Sequence, residues 1–280
     1  MADSTLAPGD ATPRVTGIFV YPLKGARGVA VDAAALDALG FRRDRRWMVV
    51  DAAGEFVSQR TRPRLALVRP ALAGEALVLE APDRPPLELP AEPPGGGTKP
   101  VRIWADALRA APAGEAADAW ISDFLGERAH IVAFAADAVR PVDPKYARRA
   151  TDRVAFADAY PCLLITQASL DLLNERLTTP VPMDRFRPNL VAGGTAPHAE
   201  DGWRRIRVGD VVFDLVKPCA RCVVTTVDQR TGVAEEEPLR TLATYRKVGS
   251  KVLFGQNAIH VAPGTVRAGD PLVVMRGAES

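Results

Sequence analysis

The chain has 280 residues, enough for one large domain or two of ordinary size. Hydrophobic residues make up 47% and charged residues 25%, which excludes a disordered or fibrous chain. Lys and Arg total 36 against 34 Asp and Glu, and a net charge of +2 gives no electrostatic footprint for non-specific nucleic-acid binding.

In chain order, residues 1 to about 13 read as a frayed tail. VTGIFVYPL (15–23) alternates and is rich in β-formers, so it predicts a strand. RRWMVVD (45–51) predicts a second, and the Gly-containing DAAGEF (51–56) a hairpin turn into VSQRT. LALVRPAL, ALVLEAP and PLELP follow as strand-sized pieces, and AEPPGGGTKP (91–100) has the composition of a flexible loop. VRIWADALRAAP (101–112) reads as strands around a turn. In AADAWISDFLGER (116–128), Ala117, Trp120, Ile121, Phe124 and Leu125 recur at helical spacing, with Gly126 placed to end the helix.

HIVAFAAD predicts a strand, and the polar stretch 137–160 a boundary between two parts. PCLLITQASLDLLNERL (161–177) reads as a strand entering a helix, with Thr166 as its N-cap. RPNLVAGG, WRRIRVGDVVFDLVKP and CVVTTVD predict further strands, PLRTLATYRK a short helix, and FGQNAIHVA and APGTVRAGDPLVVM the closing strands. Strands outnumber helices and are short, which points to a mainly β, α+β chain with strongly bent or barrel-like sheets.

Three cysteines, Cys162, Cys219 and Cys222, cannot make a disulfide framework and read as thiols in a reducing compartment. No secretory h-region and no apolar run of the length that spans a bilayer are visible, so the expectation is a cytoplasmic protein without a membrane span.

The segment KPCARCVVTTVDQRTG (217–232) carries the most chemistry. Its C-x-x-C has several readings. It is half of a zinc site, a redox pair, two small buried residues beside a strand, or the source of one thiolate ligand for a soft metal. The zinc reading lacks a second ligand pair, since His130, His198 and His260 are scattered. The redox reading lacks a helix to lower a thiol pKa, because the pair runs into a strand-like CVVTTVD. A thiolate ligand is favoured by Lys217 and Arg221 nearby, but the other donors must then come from a cofactor bringing its own sulfurs.

Candidate anchors for such a cofactor exist. FRPNL (186–190) puts Arg187 and Asn189 on one side of a strand, a bidentate phosphate donor beside an amide. YPLKGARGV places Lys24 before two glycines without P-loop spacing. RRDRRW (42–47) is a basic run of the kind that usually forms a solvated face, and FGQN ends in Asn257 at a turn.

The order of these strings resembles the MOSC-domain family, named for the C-terminal domain of molybdenum cofactor sulfurases, and within it the branch of the mitochondrial amidoxime-reducing components. YPLKG, GFRRDRRWMVVD, FVSQRTRPRLALV, LLITQASLDLLNERL, FRPNLV, CARCVVTTVDQRTG, PLRTLATYR, LFGQN and GTVRAGDPL carry the likeness, from about residue 15 to about 276. The resemblance implies an N-terminal β-barrel-like module over 14–136 and a MOSC β-barrel domain over 137–276. It also implies a molybdenum cofactor (a molybdopterin) with Cys222 as metal ligand and catalytic residue. Lys24, Gly25, Arg45, Arg187, Asn189, Ala220, Arg221 and Asn257 fall on the cofactor-anchoring positions, and Thr166 and Ser169 on a turn able to receive a phosphate at a helix N-terminus. Relatives often have Ser at Gly25 and some have Tyr at Asn257.

The implied activity is reduction of N-hydroxylated or N-oxygenated compounds, with an alternative role as a cofactor carrier or a sulfur carrier through a persulfide on Cys222. With no four-cysteine iron–sulfur set in the sequence, electrons are expected from an external ferredoxin, flavoprotein or cytochrome.

Overall fold

The structure is a computed structural model that describes residues 12–74, 76–90 and 97–277. The expected tail up to residue 11 and the 91–96 part of the expected loop lie outside the described residues.

The first half contains β1 (Arg14–Val20), β2 (Val29–Ala30), β3 (Ala33–Asp37), β4 (Gly40–Phe41), β5 (Trp47–Asp51), β6 (Arg69–Ala73), β7 (Ala76–Glu80), β8 (Leu87–Pro90), β9 (Lys99–Ile103), β10 (Asp106–Pro112), α1 (Glu115–Leu125) and β11 (Ala129–Phe134). The second half contains β12 (Cys162–Thr166), α2 (Gln167–Asn174), β13 (Leu190–Gly193), β14 (Trp203–Val208), β15 (Val211–Arg221), α3 (Leu239–Tyr245), β16 (Lys247–Val248), β17 (Lys251–His260), β18 (Gly264–Arg267) and β19 (Leu272–Gly277). The expectation of a mainly β chain with few helices holds, and the helix expected over 116–128 ends at Gly126 in the left-handed conformation.

The main sheet runs β19-β14-β15-β17-β12-β13-β1-β2, with β16 on β17. Only β12 and β13 are parallel in it, and α2 begins their crossover. A second sheet, β5-β11-β10-β9, carries α1 on one face. Strands β5 and β11 of it are apolar on both faces. Trp47 and Val49 join the core with Leu65, Leu77, Trp120 and Phe124, while Met48 and Val50 join Val101, Phe134 and Phe156 behind.

Spatial pairing crosses chain order. β1 pairs with β13, and β3 pairs with β18. Val15, Ile18, Val20, Leu36 and Phe41 therefore share one core with Leu164, Leu190, Phe213 and Leu272.

Three local readings are corrected. The expected hairpin after β5 shrinks to a single Val50–Phe56 bridge. Lys24 N–H already takes the Trp47 carbonyl at 2.8 Å, so residues beyond Val57 have no free edge and leave as a loop. LALVRPAL is not one strand: Pro63–Leu67 is a 3-10 turn with Pro in its first positions, and β6 starts at Arg69. CVVTTVD is not a strand either, because Val223–Thr226 closes a 3-10 turn on the Cys222 carbonyl, which accepts from Thr225 N at 3.0 Å.

Candidate functional site

Several irregular segments converge at the end of β15. Cys219 to Cys222 leave that strand, and the loop after β1, the turn before β5 and the turn before β13 meet them. The cleft so formed brings together Lys24, Gly25, Arg45, Arg187, Asn189, Ala220, Arg221, Cys222 and Asn257.

Left-handed backbone aims much of this set. Gly25 has φ 86, Arg45 φ 49 and Arg187 φ 56. A non-glycine residue there costs about 1–3 kcal/mol, and such positions gather at ligand clamps. Arg187 therefore lies in a turn before β13, not on a strand beside Asn189 as FRPNL suggested. The basic run 42–47 is not a solvated face: Asp44 and Arg46 are buried, and Arg45 is partly so.

The guanidiniums of Arg45 and Arg187 lie 4.3 and 4.4 Å from the centre of the buried Tyr21 ring. Tyr21 donates to the Pro188 carbonyl at 2.9 Å, and burial raises its phenol well above the ordinary value. Arg45 donates to Asp44 at 2.7 Å and to Asn189 Oδ1 at 3.1 Å. Asn189 also accepts from Leu163 N and donates to Phe19 O and Asp44. Its amide is thus satisfied within the protein and acts as a brace for Arg45. Asn257 donates to the Lys217 carbonyl at 3.2 Å across β15 and β17.

The charge balance is uneven. Lys24 donates to the Phe156 carbonyl at 2.9 Å and pairs with Asp158, whose side chain is 63% exposed. The Lys24 ammonium beside it holds the Asp158 carboxyl well below the usual carboxylate range. Burial lowers Lys24 against the pull of Asp158.

Arg187 donates to the Ala26 carbonyl at 2.6 Å and has no carboxylate partner among the described residues. Burial pulls it down to about 10, and Arg45 pushes the same way. Arg221 donates to Phe186 O at 2.6 Å and to Cys219 Sγ at 3.0 Å, and its buried Nε has no partner among the described residues. Arg60 donates to Cys222 Sγ at 3.2 Å. Among the described residues, Asp44 and Asp158 are the carboxylates paired with these five cations. The cleft therefore carries an excess of positive charge.

Thr166 and Ser169 are not brought to the cleft. Both are fully buried, and Thr166 caps α2 by accepting from Ser169 N at 3.3 Å. The carboxylate of Glu200, also fully buried, accepts from Thr166 N at 3.3 Å, Thr166 Oγ1 at 2.9 Å and Ser169 Oγ at 3.0 Å. The chain's own acid fills the place expected for a phosphate. Burial raises the Glu200 carboxyl, and these hydrogen bonds only partly offset it.

The loop 58–60 and the loop 157–160 line the cleft without having been singled out. The signal for the second was its length, since a polar stretch this long without regular structure is usually functional. Buried Arg140 pins it, donating to the carbonyls of Ala155 and Asp158 at 3.0 Å and also to that of Ala157. Buried Arg185 likewise holds the turn after Cys222 through the Thr226 carbonyl at 2.7 Å.

The fold is thus a mainly β one whose cleft sets the Cys222 thiol among five cations. Residues 12–128 match the MOSC N-terminal beta barrel domain, and residues 151–273 match the MOSC domain. Mitochondrial amidoxime-reducing component 1 of Mus musculus is 35% identical, over 93% of this chain and 82% of its own length. The Homo sapiens protein of that name shows the same identity and coverage, and mitochondrial amidoxime reducing component 2 of Rattus norvegicus is 34% identical over 93% and 83%. The chain belongs to the MOSC-domain family, in the branch of the amidoxime-reducing components.

Proposed function

We propose that the chain is a molybdenum-cofactor-dependent reductase of N-hydroxylated compounds, with Cys222 as the protein ligand to the metal. The observation that carries this reading is the convergence of two half-buried thiols, Cys219 and Cys222, with five cations and too few carboxylates. The residues present fit such a group. Arg221 keeps a buried donor without a partner, and Arg187 sits beside Arg45 without a counter-ion, as a phosphate-bearing cofactor requires.

When bound, the cofactor supplies the two-electron redox step. Cys222 offers the soft donor, held at the head of the turn that Thr225 and Arg185 fix from below. Lys24, Arg45, Arg187 and Arg221 neutralise the anionic part of the cofactor, and Gly25, Ala220 and Asn257 shape the wall around it. Reduction of an N-hydroxyl group to N–H releases water and consumes two electrons and two protons. The electrons come from an external donor of the ferredoxin, flavoprotein or cytochrome kind. The proposed location is the cytoplasm, on the strength of three free cysteines; the relatives themselves carry a mitochondrial name.

The test uses protein made in a host that synthesises the cofactor. About one molybdenum and one pterin per chain, with reduction of an amidoxime by an artificial donor, is the expected result. A loaded protein that reduces no N-hydroxylated compound points to the carrier role, and a protein that takes up no molybdenum overturns both.

A further inference from the structure

The loop that carries Arg60 is tied to the turn that carries Cys222. Gln59 and Gln229 are both buried and exchange side-chain hydrogen bonds, each of 2.9 Å. Gln59 also donates to the Gly25 carbonyl at 2.7 Å, and Gln229 to the Val227 carbonyl at 3.0 Å. Parting this pair would leave buried amides unsatisfied, so the joint is stiff. Arg60 is therefore held at a fixed place relative to Cys222, although the two lie in different halves of the chain.

Two contacts fix its side chain. Arg60 Nη2 donates to Cys222 Sγ at 3.2 Å, and the guanidinium carbon lies 4.4 Å from the centre of the Trp104 ring. That ring is packed in turn by Phe56, 4.5 Å away and tilted by 59°. Trp104 has φ 55 in the turn between β9 and β10, a left-handed backbone that a bulky residue keeps only where its surroundings impose it. The indole stands behind Arg60 and does not line the cleft itself. The other four cations are engaged elsewhere: Lys24 with Asp158, Arg45 with Asp44, Arg187 with the Ala26 carbonyl, and Arg221 with the Phe186 carbonyl and Cys219. Among the described residues, Arg60 is the cation that meets the Cys222 sulfur.

We infer that Arg60 is the positioning residue of the Cys222 sulfur, that its hydrogen bond makes a metal bound there easier to reduce, and that Trp104 acts through Arg60. A cation donating to a metal-bound sulfur draws electron density from it, which favours the more reduced metal. This rests on the reading of Cys222 as metal ligand and adds to it what sets the potential at that ligand.

The test is a redox titration of the molybdenum-loaded protein with dithionite and ferricyanide, read by electron paramagnetic resonance. Arg60→Ala is expected to lower the midpoint, so that the ratio of reduced to oxidised metal at a fixed potential falls about tenfold, the size of one charge-assisted hydrogen bond. Trp104→Ala is expected to act in the same direction by about threefold, and Trp104→Phe to recover most of that. Trp104→Ala added to Arg60→Ala is expected to change nothing further, because the indole then has no guanidinium to hold. Molybdenum content is expected to stay the same in every variant. A second readout needs no cofactor. Trp47, Trp120 and Trp203 are buried, so acrylamide quenching of the apoprotein reports on Trp104, and Arg60→Ala is expected to raise it about twofold by uncovering the ring. A midpoint unmoved by Arg60→Ala, a molybdenum content that falls with it, additive effects of the two residues, or unchanged quenching overturns the assignment while leaving Cys222 as ligand. A protein that takes up no molybdenum overturns the ligand reading and this assignment with it.

Discussion

Two places in this molecule gather hydrogen-bond donors around an acceptor, and they differ in who supplies it. At the start of α2, Thr166 and Ser169 surround the carboxylate of Glu200, and all three side chains are fully buried. In the cleft, Lys24, Arg45, Arg60, Arg187 and Arg221 face open space, with Asp44 and Asp158 as their only carboxylate partners among the described residues. The first is a closed structural joint, and the second is a socket. Sequence patterns that look alike as anion sites separate once the fold shows whether an internal acid already fills them.

The largest expected effect tests the socket. Cys222→Ser should abolish molybdenum binding and amidoxime reduction, while Cys219→Ser, at a sulfur that among the described residues is hydrogen-bonded to Arg221 and weakly to the Ala220 carbonyl, keeps most of both. Equal losses by metal analysis and turnover would mean that the ligand has been mis-assigned.

Glu200→Ala tests the joint. It strips acceptors from the Thr166 N–H and two hydroxyls in the core, and should lower unfolding free energy by about 3 kcal/mol by urea titration. The refolded variant should still load cofactor, and a failure to load would erase the contrast between the two places.

Arg187→Ala should act the other way, lowering cofactor occupancy about tenfold for one lost charge-assisted contact, with apoprotein stability changed by about 1 kcal/mol or less. A large fall in melting temperature with full occupancy would make Arg187 structural.

The smallest effect is a pH slope. The Glu200 carboxyl lies above its ordinary value of 4.5, so the folded state binds more protons there than the unfolded state. Its contribution is complete below 4.5 and is lost as pH rises through the raised value. Glu200→Gln should flatten that part of the stability–pH curve, and an unchanged slope would assign it to another group.

Much of the socket was legible in the sequence because its parts sit in short, distinctive strings. Lys24, Arg45, Arg187, Arg221 and Cys222 all reach one cleft. Arg60 and Asp158 were missed because their loops are placed by contacts made far along the chain, Arg60 by Trp104 and Asp158 by Arg140 and Lys24. Thr166 and Ser169 were misread because a cap and an anion site need the same residues. The acid that decides between them lies in a separate turn at Glu200, with nothing local to link it. The strand reading of 222–228 failed for a related reason. β-Branched residues favour strands only where an edge is free to pair, and here the Cys222 carbonyl closes a turn first.

The pairing of β3 with β18 has a consequence for the folding rate. Strands far apart along the chain must find one another before this small sheet can form. The entropy of closing so long a stretch is spent before the contact rewards it, which makes this pairing a slow step of folding.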